Sequence, residues 1–110
     1  GRMIDKALAI DSNNAFVYMI KGIGDYTRPS FAGGSKENGN KNLSIALELT
    51  EKHDNSVGDK KFIIAIANFH LANIAFITKN KQQALQYLTN SLRVAPDYKR
   101  ALELSKKIES

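Results

Sequence analysis

"KKFIIAIANFHLANIAFITKNKQQALQYLTNSLRVAPDY", residues 60–98, joins two different hydrophobic patterns across a short polar break. From Phe62 to Thr78 apolar residues recur on most sides of a helical projection, the mark of a helix enclosed by others. Lys79-Asn80-Lys81 interrupts the run. Beyond it Ala84, Leu85, Leu88 and Leu92 fall at three- and four-residue spacing, a single amphipathic stripe. Pro96 ends that stripe, because proline cannot continue a helix interior. The stretch therefore reads as two helices folded back on each other through a tight turn.

Working outward, the same grammar repeats. "NAFVYMIKGIGDYT" at 14–27 is helical, with Phe16, Met19, Ile20 and Ile23 on one side. Gly22 and Gly24 each weaken it by up to about 1 kcal/mol relative to alanine. A glycine retained inside a helix lets a neighbouring backbone come close. Arg28-Pro29 closes this helix, since the residue before proline is pushed out of helical geometry. Residues 36–53 form the next, with Leu43, Ala46, Leu47 and Thr50 inward. "HDNSVGDK" at 53–60 breaks the chain again. Downstream, "DYKRALELSKKIES" at 97–110 makes a short final helix with Tyr98, Ala101, Leu102 and Ile108 inward. Upstream, "MIDKALAI" at 3–10 ends a helix at the turn-forming "DSNN". Its pattern is already under way at the first residues, so the chain reads as a piece of a longer protein. No segment alternates as a strand would, and the expected fold class is all-α with about five to six helices.

The helix pairs also echo one another. "ALAIDSNN" at 7–14 resembles "SLRVAPDY" at 91–98, and "ALEL" at 46–49 holds the same slot between them. Gly39, Leu43 and Ala46 share the four-then-three spacing of Ala84, Leu88 and Ser91. Self-similarity at such a period is the signature of stacked repeats.

These residues resemble tetratricopeptide repeats. The resemblance rests on a small residue within the first helix of each pair (Gly22, Ala72) and a small, large, small series in the second (Gly39, Leu43, Ala46; Ala84, Leu88, Ser91). Pro96 stands at the turn. It covers nearly the whole chain, with residues 59–98 the best match. The family's usual period is about 34 residues, and both pairs here are longer, with extra residues at 27–35 and 50–58. The resemblance implies antiparallel helix pairs stacked as a right-handed α-solenoid. On that frame residues 1–12 end a preceding repeat and 14–53 form a pair with an extended loop at 27–35. Residues 59–96 form the second pair and 97–110 a capping helix.

Composition bounds the chemistry. The 110 residues contain no Cys, which excludes disulfides and thiolate metal sites. The net charge of +5 lies entirely in residues 59–110, where nine Lys/Arg face four Asp/Glu; residues 1–58 hold seven of each. Such a half could meet an acidic partner or nucleic acid. No Arg cluster or aromatic interleaving accompanies it, and a solvated surface is the simpler expectation. No export signal is visible, and a cysteine-free chain suits cytoplasm and periplasm equally.

Gly33-Gly34-Ser35-Lys36 invites comparison with a phosphate loop, but no strand precedes it and the upstream glycine is missing. It reads instead as a helix entry, with Ser35 as N-cap and Glu37 in the first turn. His53 and His70 are the only histidines and lie in different helices, so no zinc site is expected. "DNSVGD" at 54–59 lacks the distal glutamate of a calcium loop. Residues 62–78 are long enough to test as a membrane span, but Asn68, His70 and Asn73 are costly in lipid. No catalytic arrangement emerges, and the chain is expected not to be an enzyme, with no cofactor.

The resemblance implies that first helices line a concave groove that holds a peptide. Spacing from Gly22 and Ala72 places Phe16, Met19, Ile23 and Tyr26, then Phe69, Asn73, Phe76 and Ile77, on that face. Asn73 can hydrogen-bond a peptide backbone as donor and as acceptor. The family's carboxylate clamp uses basic residues where Met19 and Phe69 stand here, so the groove is expected to be mainly apolar. The expected function is a protein-interaction scaffold for a peptide or protein segment. The alternatives are a structural spacer or cap of a longer array, and nucleic-acid binding through residues 79–107. An apolar face on Ile4 to Ile10 also points to self-association there.

Overall fold

The computed structural model describes residues 14–52 and 59–109, and these contain five α-helices and no strand. The chain divides into two compact units, Gly1–Ser56 and Val57–Ser110. The helix pair expected at 14–53 falls in the first. The pair at 59–96 and the helix after it fall in the second. The expectations for residues 1–12, for the calcium-like loop and for His53 lie outside the described residues.

In the first unit α1 (Ala15–Thr27) packs on α2 (Lys36–Lys52). Asn14 caps α1, its side chain accepting from the Val17 N–H at 3.2 Å. Arg28 leaves helical geometry ahead of Pro29, as the sequence predicts. A 3-10 turn (Ser30–Ala32) follows and Gly33 ends it at φ 86°, a left-handed conformation suited to glycine. Ser35 then caps α2, accepting from the Asn38 N–H at 3.0 Å. The glycine-serine passage is thus a helix entry.

The two helices meet through glycine. A β-carbon on Gly22 would sit 2.8 Å from Leu43 Cγ and 3.0 Å from the Gly39 carbonyl oxygen. One on Gly39 would sit 2.7 Å from Tyr26 Cβ. Gly24 has open space instead, so close approach explains the first glycine and not the second. Met19, Gly22, Asp25 and Tyr26 form the buried face of α1, and Gly39, Leu43, Ala46 and Thr50 that of α2.

The second unit holds α3 (Asp59–Ile77), α4 (Lys81–Val94) and α5 (Lys99–Glu109). Asn80 caps α4, accepting from the Gln83 N–H at 3.3 Å. The core joins Phe69, Ala72 and Ala75 of α3 to Ala84 and Leu88 of α4 and to Ala101, Leu104 and Ile108 of α5. Leu85, Leu92 and Tyr98 pack around it. The alanines let α3 and α4 lie close, and Ser91 bridges them by donating to the buried Ala65 carbonyl at 2.8 Å. On α5 the inward stripe is Ala101, Leu104 and Ile108, whereas Leu102 is 40% exposed. Three-then-four spacing fixes that face, and Leu102 lies about 100° from Ala101 on the projection. The inward leucine is therefore Leu104, not the Leu102 that the sequence reading placed there.

Candidate functional site

α3 carries a stripe that meets its core-facing side at Phe69. Phe62, Ile66, Phe69 and Asn73 follow at spacings of four, three and four, so they share one face. Two hollows lie end to end along it. The first, of about 330 Å³, is lined by Lys61, Phe62, Ala65 and Ile66 of α3 with Val94, Ala95 and Tyr98 from the turn between α4 and α5. The second, of about 230 Å³, is lined by Phe69 and Asn73 of α3 with Arg100, Glu103, Leu104 and Lys107 of α5. The first is walled almost wholly by carbon. The second adds an amide, two cations and a carboxylate.

Aromatic contacts mark the boundary between them. The Phe69 ring lies 5.5 Å from that of Tyr98 and 4.9 Å from that of His70. The Arg100 guanidinium carbon sits 4.9 Å from the Phe69 ring centroid, within the range of a cation–π contact. A guanidinium parked on a ring face is a positioned cation rather than a freely sweeping one. Burial pushes the Tyr98 phenol above its ordinary value, with Arg100 opposing that shift. His70 is buried, and burial followed by the Arg100 charge lowers it from 6.5 to about 4. Its imidazole is therefore neutral near pH 7 and lines neither hollow.

The residues singled out from sequence are distributed unevenly. Phe69 and Asn73 line the second hollow together. Phe76 is half-buried against the α3–α5 core and Ile77 is exposed at the end of α3. Phe16, Met19, Ile23 and Tyr26 belong to the other unit; Met19 and Tyr26 are buried, Ile23 half-buried and Phe16 exposed. Phe62, Ile66, Tyr98, Arg100, Glu103 and Lys107 were not anticipated. Their signal was present, because Arg100, Glu103 and Lys107 share a face of α5 at three- and four-residue spacing.

No cluster of three or more metal-ligating side chains occurs among the described residues. One described helix, over Lys60–Ile77, is long and apolar enough by composition to cross a membrane, and 56% of it is buried inside the protein. The chain matches no family model, no curated protein and no solved structure.

Proposed function

We propose that the chain is a protein-interaction module: helix pairs similar to tetratricopeptide repeats that hold a peptide segment along the α3–α5 face. The observation that carries this reading is the hollow in which Asn73 and Phe69 of α3 face Arg100, Glu103 and Lys107 of α5. A peptide presents alternating N–H and C=O groups, and an amide side chain serves both. The α3 stripe supplies apolar surface beside it, so side chains and backbone of one ligand find matching partners.

On this reading α3 is apolar because it is the central helix of a folded unit. No catalytic step is assigned to the site. A structural spacer is the second reading, and it predicts an inert face. Capture from a random peptide library on the immobilised chain separates the two. The wild type should enrich a family of related peptides, and Asn73→Ala should weaken their binding about tenfold. Enrichment of nothing, or equal retention by Asn73→Ala, would remove the groove as the binding site.

A further inference from the structure

The loop between α1 and α2 is built rather than loose, and it displays an aromatic ring. The Pro29 carbonyl accepts from the Ala32 and Gly34 N–H groups, both at 2.9 Å, and the Ser30 carbonyl from the Gly33 N–H at 3.1 Å. Gly34 admits no side chain, because a β-carbon there would run into the Arg28 carbonyl. The Ser35 N–H donates to the Asp25 carbonyl at 2.6 Å, and the Asp25 carboxylate accepts from Arg28 at 2.9 Å and Asn42 at 2.7 Å. On this frame Phe31 is 92% exposed. An aromatic ring held out on a hydrogen-bonded loop loses little conformational freedom on docking. Folding gains nothing from it there.

The same chain carries a receptor of suitable size and chemistry. The hollow of about 330 Å³ lined by Phe62, Ile66, Val94 and Tyr98 has carbon walls and an exposed Phe62 at its rim. We propose that Phe31 of one copy inserts into this hollow of a second copy. Knob and socket lie in different units, so a single contact is heterologous and leaves a free knob and a free socket. Two reciprocal contacts close a two-fold dimer; continued single contacts build an open chain. A contact of this size is a transient one, expected at high protein concentration. It uses the apolar end of the α3 stripe and leaves the Asn73 end open.

The test is sedimentation equilibrium over a concentration series, paired with photo-crosslinking from a benzophenone side chain at position 31. The wild type should associate with concentration. Phe31→Ala should weaken association at least about tenfold, with a nearly unchanged thermal transition because the side chain is almost wholly exposed. Phe62→Ala, made at a half-exposed position, should weaken it too. Crosslinks in a mixture of isotopically labelled and unlabelled chains should join labelled to unlabelled copies at residues 61–66 or 94–98. A monomer at all concentrations overturns the proposal. So does association unchanged by Phe31→Ala, or crosslinks confined within one copy.

Discussion

His70 and Asp25 are both buried, and their surroundings differ. His70 is held neutral, lowered to about 4 by burial and then by Arg100. The unfolded chain takes up a proton near pH 6.5 that the folded chain refuses until about pH 4. Stability contributed by this group is therefore complete above pH 6.5 and lost as the pH falls towards 4. The loss is about 2 kcal/mol once solvent screening is allowed for. Urea unfolding between these pH values should show that slope, and His70→Gln should flatten it; an unchanged slope would place its origin elsewhere. Asp25 is instead satisfied as an acceptor, by Arg28 and Asn42. Asp25→Ala leaves the Asn42 amide without this acceptor and should cost about 2 kcal/mol, read as a lower urea midpoint at constant m-value.

At the scale of elements, the pairing of α1 with α2 turns on which glycine lies at the crossing. Gly22→Ala presses a methyl group against Leu43 and the Gly39 carbonyl, and should destabilise by about 1–3 kcal/mol despite its helix propensity. Gly24→Ala meets open space and should stabilise by up to about 1 kcal/mol. Thermal melts of the two variants should move in opposite directions, and shifts of the same sign would refute the crossing. The helices themselves were legible in sequence, because the cap at Ser35 and the breaks at Pro29 and Pro96 are local signals, whereas the caps at Asn14 and Asn80 emerged with the structure. The repeat resemblance singled out Gly22 as the packing glycine, whereas helix propensity alone did not, since Gly22 and Gly24 interrupt the helix equally in one dimension. Leu102 was misplaced for a related reason: a short helix offers adjacent stripes, and only packing chooses between them. Two of the six residues that line the second hollow were readable in the same sense. Phe69 and Asn73 follow from helical spacing, whereas Arg100 and Lys107 acquire meaning only once α5 is laid beside α3.

Across the whole molecule charge and groove coincide in one unit. The entire net charge of +5 falls within residues 59–110, which also carry both hollows. If those cations served nucleic acid, binding to random oligonucleotides would be strong at low salt and fall steeply as salt rises. A flat titration is expected instead, with Arg100 held over the Phe69 ring. The most direct test is an amide chemical-shift titration of the isotopically labelled chain with a peptide selected from the library. Perturbations concentrated at Phe69, Asn73, Arg100 and Lys107, and lost in Asn73→Ala, are the predicted result. Perturbations absent from that face, or unchanged in the variant, would contradict the claim that the α3–α5 groove is where this protein binds.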